Sequence, residues 1–390
     1  MSRRQDISDQ ERISRLQLAL SDNIGPATYH QLVEIYGSAA DAITALPDLA
    51  SGVTRGRRVR LCSRDRALRD IEKTYACGGL LVTHGEEGFP RLLAETVNPP
   101  PVLFVAGNSG LLQQPACAIV GSRNSSANGK RFARDVAREL GQSGWIIASG
   151  LARGIDTAAH EASLDQGTIA VVATGLDVTY PRENGELHAR IASGGCVVSE
   201  MPPGTHPRAD LFPRRNRIIA GLAAGVVVIE AAMRSGSLIT ARLANEIGRD
   251  VFAVPGSPFD PRSEGTNKLI QDGAMLVTAP RDVLDVLERS HFYAPDRGGE
   301  LEAQHQAVSG ETARRTEIGE KPGSTTSPDP LVDDIHRQAV MELLGPDPVE
   351  VDVVVRESRL PSQLVQMVIM ELDLTGRLER HPGQRVSLTA

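Results

Sequence analysis

From Leu80 onward the chain repeats one unit: a short unbroken apolar run, then a stretch of helical character. The runs read "LLVTHG", "VLFVAG", "CAIVGS", "WIIASG", "TIAVVATG", "CVVSE", "GVVVIEA" and "VFAVPG". A strand that faces solvent on one side alternates apolar and polar residues, whereas a strand covered on both faces is apolar throughout. The pattern therefore predicts an α/β, Rossmann-like doubly wound parallel sheet over residues 80–295. Gly, Ser or charged residues follow the runs repeatedly, which places a ligand crevice along the carboxyl edge of the sheet.

The flanks have different periods. "LQLALSDNIGPATYHQLVEIYGSAADAI" reads as helix, tight turn, helix, turn, helix, so residues 1–79 are expected to form an N-terminal helical domain resembling a helix-hairpin-helix. A basic stretch, "RGRRVRLCSRDRALRD", follows and reads as a solvated helix face. Residues 296–330 have few apolar side chains and are expected to be a flexible linker. Residues 331–390 offer three helices and a strand, Pro-Gly turn and strand, the winged-helix pattern. Its third helix carries Gln363 and Gln366 but also Glu371 and Asp373, which favours a protein-contact or weak DNA role over sequence reading.

Composition narrows the function classes. A net charge of -7 rules out a uniformly basic surface, so any nucleic-acid contact must come from local clusters. With 3% aromatics, stacking platforms are few. Cys62, Cys77, Cys117 and Cys196 are widely spaced, which predicts neither a zinc site nor a disulfide framework. The longest apolar stretch, Ile218 to Ile229, falls short of the roughly 20 residues a membrane helix needs, so a soluble cytoplasmic protein is expected.

The strand ends carry the chemistry. In "GSRNSSANGK", Gly121, Ser122 and their neighbours open a helix with amides available to an anion, and Arg123 and Lys130 add charge. The spacing fits neither a Walker loop nor a dinucleotide glycine triplet. Ser149, Gly150, Arg153 and Gly154 form a second such loop, with Asp156 in the first helical turn; His160 reads as structural. Gly175 relaxes a third strand end. "LFPRRNRIIAG" sets Phe212, Arg214, Arg215, Asn216 and Arg217 at the start of a helix, where positive charge is unfavourable unless an anion is bound. Ser235 and Gly236 open a further helix. Several such loops along one edge suit an extended polyanion, with Phe212 placed to stack on a base.

Taken together, "GSRNSSANG", "SGLARGIDTAAH", "TGLDVTYPREN", "SEMPPG" through "FPRRNRIIAG", "EAAMRSGSLITARLA" and "GRDVFAVPGSP" resemble the DNA-processing protein A (DprA/Smf) family. The resemblance implies a cytoplasmic protein that binds single-stranded DNA in natural transformation, protects it and loads the RecA recombinase. It also implies a homodimer through the Rossmann-like domain, and neither turnover nor a cofactor. By motif position Arg123, Lys130, Phe212, Arg214, Arg215 and Arg217 resemble the DNA-contacting set. Two alternatives remain open: a Rossmann-like nucleotide-cleaving enzyme of the lysine-decarboxylase-like group, and a regulator that reads DNA through its winged helix.

Overall fold

The computed structural model describes residues 7–51, 60–289, 334–345, 347–381 and 383–389. The linker expected over 296–330 lies outside the described residues, as do 55–59 of the basic stretch. The chain forms two compact units, Met1–Arg289 and Ser290–Ala390.

In the first unit, helices α1 (Asp9–Ala19), α2 (Pro26–Tyr36), α3 (Ala39–Ser51) and α4 (Arg64–Ala76) precede the sheet. The boundary expected near residue 80 falls inside this unit. Leu16 of α1 shares a core with Leu81, Phe104 and Val197 of the sheet, and Arg15 donates from Nη1 to the His84 carbonyl at 2.6 Å. Ser8 and Ser63 cap α1 and α4 by accepting from main-chain amides, satisfying donors that a helix start leaves open.

The sheet has nine strands: β1 (Gly79–Thr83), β2 (Val102–Gly107), β3 (Ala116–Gly121), β4 (Ile146–Ser149), β5 (Thr168–Val172), β6 (Cys196–Ser199), β7 (Gly225–Ile229), β8 (Asp250–Ala253) and β9 (Met275–Leu276). Their spatial order is β1-β2-β6-β5-β4-β3-β7-β8-β9. From β6 to β9 all pairings are parallel, as expected. "LLVTHG" and "VLFVAG" depart from that expectation, because β1 pairs antiparallel with β2, and β2 antiparallel with β6. An unbroken apolar run reports burial on both faces, not direction. The link from β1 to β2 holds only the short helix α5 (Arg91–Ala94) and three consecutive prolines, so no long helix returns the chain to a parallel start.

Helices α6 (Ala127–Gln142), α7 (Ile155–Ser163), α8 (Gly185–Gly194), α9 (Leu211–Leu222), α10 (Gly236–Glu246), α11 (Glu264–Gln271) and α12 (Pro280–Leu287) cover both faces. Two apolar clusters line the two sides, one around Val120, Val171 and Val228, the other around Ile119, Ile147 and Val227. The chain leaves β3 toward β4 on one side and returns on the other side with β7. The topological switch point, where ligands of open α/β sheets bind, is therefore at the carboxyl ends of β3 and β7.

The second unit has α13 (Asp334–Met341), β10 (Val349–Glu350), α14 (Val351–Ser358), α15 (Ser362–Leu374), β11 (Leu378–His381) and β12 (Arg385–Leu388). Its strands form an antiparallel sheet in the order β10-β12-β11, over a core of Val340, Val354, Val365, Val368 and Ile369. The expected second helix begins at Val351 rather than Pro348 because Val349 and Glu350 are drawn into the sheet by pairing with Val386 and Arg385. Among the described residues no helix is long and apolar enough to cross a membrane.

Candidate nucleic-acid interface

The loop that leaves β3 is pressed onto its neighbours. A Cβ at Gly121 would lie 1.9 Å from the Ile229 carbonyl oxygen, so only glycine lets β3 and β7 come this close. Ser126 then caps α6, its Oγ accepting from Gly129 N at 2.9 Å. Glu230, with φ 53°, turns back from the end of β7 and accepts from both the amide and the hydroxyl of Ser126. The first loop and the switch point are thereby fastened together.

The loop after β4 is built around Asp156. Its buried carboxylate accepts from Gly150 N at 3.1 Å and Ala152 N at 3.2 Å. Gly154, at φ 83°, sits where a Cβ would meet the Ser122 carbonyl at 2.3 Å, which docks the second loop on the first. Burial pushes the Asp156 carboxyl up; Arg215 and the two amides pull it back only in part. His160 is fully buried and neutral, pushed down to about 3 by burial, with Nδ1 2.7 Å from Thr168 Oγ1.

Arg215 reaches over this loop from the second turn of α9. Its Nη1 donates to the Val171 carbonyl at 2.8 Å, and a Cβ on Gly150 would fall 1.9 Å from that nitrogen. The residue is 7% exposed, and its Nε has no acceptor among the described residues. Burial lowers its guanidinium to about 10, so it remains charged at neutral pH. Above it, the exposed Arg123 lies over the Phe212 ring at 5.4 Å, and that ring stands 5.5 Å from Tyr180. The face of the ring attracts the guanidinium electrostatically.

Two adjoining cavities of about 550 and 530 Å³ follow this edge and share Arg123, Ala152, Phe212 and Arg215. The first also takes in Gly121, Ser122, Asn216, Ser235 and Gly236, and the second Gly150 and Arg153. Asn216 donates to the Gly236 carbonyl at 3.2 Å, which joins α9 to the start of α10. Ser235 caps α10 by accepting from Ser237 N at 3.3 Å. Arg153 stays exposed, 3.8 Å from Glu183.

The remaining expected residues stand apart from both cavities. Ser149 is buried and donates to the Ile119 carbonyl at 2.6 Å, a link between strands. Gly175 packs against the Pro202 carbonyl, and Gly154 lies beneath the rim. Lys130 is on the first turn of α6, and Arg214 is exposed on the outer side of α9. Arg217 turns to an ion pair with Glu200 and to the Asn98 carbonyl. Sequence reasoning passed over Tyr180 and Glu230. In a chain with so few aromatics, the tyrosine just beyond the "TGLD" strand end was the available signal; Glu230 gave none. Among the described residues no group of three or more His, Cys, Asp or Glu could hold a metal ion.

Comparison with known proteins covers all three segments. A family model described as DNA recombination-mediator protein A matches residues 80–288. Models for a DprA-like N-terminal HHH domain and a DprA winged helix domain match 9–72 and 323–384. The Streptococcus pneumoniae DNA processing protein DprA is 51% identical over 205 residues, 52% of this chain and 72% of that protein. Protein Smf of Escherichia coli is 39% identical over 311 residues, 79% of this chain and 77% of the relative. Among solved structures, the Streptococcus pneumoniae DprA structure superposes with a TM-score of 0.60 at 39% identity, covering 72% of this chain and 98% of that one. A Helicobacter pylori DNA processing protein A structure, described for its single-stranded DNA binding mode, gives 0.50 at 30% identity, covering 54% and 96%. With its fold, its switch-point loops and all three segments in agreement, the chain belongs to the DNA-processing protein A (DprA/Smf) family.

Proposed function

We propose that this chain binds single-stranded DNA, without turnover, along the carboxyl edge of its central sheet and delivers it to the RecA recombinase in transformation or recombination. The observation that carries the reading is the meeting of Arg123, Phe212, Tyr180 and the buried Arg215 on the border of two adjoining cavities. Cations follow a backbone, aromatic faces take bases without regard to sequence, and a run of cavities suits a strand better than a single small molecule. Asp156 accepts from two loop amides and lies in the field of Arg215, which suits a positioning role. Arg214 and Lys130 extend the positive field beyond the cavities. The recombination-mediator description of the family and the DNA-binding Helicobacter relative support the partner assignment. The reading includes a homodimer through the central unit and a cytoplasmic location.

The test is a mobility shift with single- and double-stranded DNA of equal length at rising salt, with and without RecA. Preference for the single strand, affinity falling steeply with salt, and a three-component complex are expected. An affinity independent of salt would remove the backbone-binding reading. Truncation after residue 295 is expected to retain binding; its loss would move the activity to the winged helix.

A further inference from the structure

We propose that Arg217, joined to Glu200 and Asn98, is a positioning residue for strand binding: it touches no DNA and fixes α9 so that Arg215 and Phe212 stand at the cavities. This deepens the strand-binding reading and rests on it. Glu200, an acid beside a site for a polyanion, thereby supports binding instead of opposing it.

Helix α9 is held on two sides. Toward the sheet, Arg215 reaches the Val171 carbonyl. Toward the link between β1 and β2, Arg217 and Gly221 make the contacts, one turn apart. A Cβ on Gly221 would lie 2.5 Å from Leu93 Cδ1, so the helix lies tight against α5. Arg217 Nη1 donates to the Asn98 carbonyl at 3.3 Å, and Nη2 pairs with Glu200. The two side chains are 26% and 15% exposed, so the pair is partly sheltered from water and salt. Each acceptor is itself fixed. Glu200 directly follows β6, where Ser199 Oγ donates to the Thr174 carbonyl at 2.6 Å and accepts from Met201 N at 2.9 Å. Asn98 adopts φ 54°, a left-handed turn that asparagine tolerates better than most residues, and three prolines of fixed φ follow it. His30 Nε2, on α2, donates to the Pro99 carbonyl at 2.9 Å and ties the same turn to the N-terminal helices. A planar guanidinium joined to two fixed acceptors leaves the helix little freedom to slide or turn. Phe212 and Arg215 lie in the turns just before Arg217, so a shift of α9 there moves the Phe212 ring relative to Arg123 and Tyr180. Arg217 lines neither cavity. The anion that compensates it belongs to the chain itself.

Glu200 separates positioning from field by sign. If its charge alone counted, removing it would strengthen the binding of a polyanion; if it holds Arg217, removing it weakens binding. The test compares the full chain with Arg217→Met, Glu200→Ala and the double variant, reading oligo(dT) affinity at several salt concentrations, binding stoichiometry and the thermal transition. Each single variant is expected to bind about fivefold more weakly with stoichiometry kept, and the double variant no more weakly than the worse single, because the pair acts as one unit. The slope of log affinity against log salt is expected to match the parent, since no phosphate contact is lost. A slope lowered by about 1 in Arg217→Met identifies a phosphate contact and overturns the inference. Tighter or unchanged binding by Glu200→Ala overturns it too, as does a lowered thermal transition at parent affinity. Should Arg217→Met not fold, Arg217→Lys keeps the charge and loses the fork: weaker binding at the parent slope supports the positioning role, and parent affinity overturns it. A parent chain that binds no oligo(dT) overturns the strand-binding reading and this inference with it, whereas a binding parent with unaffected variants overturns this inference alone.

Discussion

The carboxyl edge of the central sheet and the C-terminal winged helix both hold several arginines, and they use them in opposite ways. At the rim Arg123 and Arg234 are exposed, and Arg215 is buried but lines both cavities. In the winged helix, Arg337 Nε donates to both oxygens of the buried Glu371 at 2.9 Å, and Arg380 Nε to Asp373 at 2.9 Å. The two acids of the third helix are thus occupied within their own module. The exposed residues at the start of α15 are Ser362, Gln363 and Gln366, all uncharged. An acid count on that helix therefore overstates the repulsion DNA would meet. Charge in a sequence becomes a surface field only where folding leaves it without an internal partner.

Replacing Arg215 with alanine should break the comparison most severely. It removes the cation that most lowers the Asp156 carboxyl and leaves this buried carboxylate with its two amide donors, for a loss of about 3 kcal/mol of stability together with strand binding. The deficit carries a pH signature. Burial already raises Asp156, and without Arg215 the carboxyl rises further, so the folded state holds a proton that the unfolded chain releases. Stability of the variant should then fall, relative to the parent, as pH climbs from about 4 toward neutral. Urea unfolding at the two ends of that range checks it. A deficit that is constant across the range would show that Asp156 does not depend on Arg215.

Much of the fold was legible because burial writes itself into composition: strands covered on both faces are apolar from end to end, and helix starts show Ser or Gly. Strand direction was not legible, since β1 and β2 are as apolar as the parallel strands. At the site, the loops were visible but the roles of the three clustered arginines were not separated. Helical phase separates them. Leu211, Arg215, Ile218, Ile219 and Leu222 share one buried stripe, so Arg215 is carried inward while Arg214 faces solvent. That reading was available from the spacing. The Ser126–Glu230 link, 104 residues apart, was not, because only the β3–β7 pairing brings its ends together. The same holds for Gly150, whose need for a bare Cα is set by a guanidinium arriving from α9.

A smaller effect is expected from Arg123→Ala. Arg123 is exposed, is held over Phe212 and has no carboxylate within salt-bridge reach among the described residues, so its removal costs the fold little. Binding should weaken about equally for all sequences, and the slope of log affinity against log salt should drop by about 1, as for the loss of one phosphate contact. A loss confined to one base composition would mean that Arg123 reads bases instead of following the backbone.

The smallest effect on DNA is expected where the charges are most tightly paired. Glu371→Gln keeps the shape of a side chain that is 6% exposed and removes only its charge, while Arg337 remains 28% exposed and keeps access to water. Charge-assisted hydrogen bonds contribute more than neutral ones, so the C-terminal unit should lose about 1 to 2 kcal/mol in its own unfolding transition. Affinity for single-stranded DNA should not move. If it strengthened, removal of a negative charge from the winged helix would have been felt by the strand, and the acids of the third helix would have to be counted as part of the binding field after all. An unchanged affinity beside a weakened module separates the two uses of arginine: one set holds its own unit together, and the other faces whatever anion enters the rim.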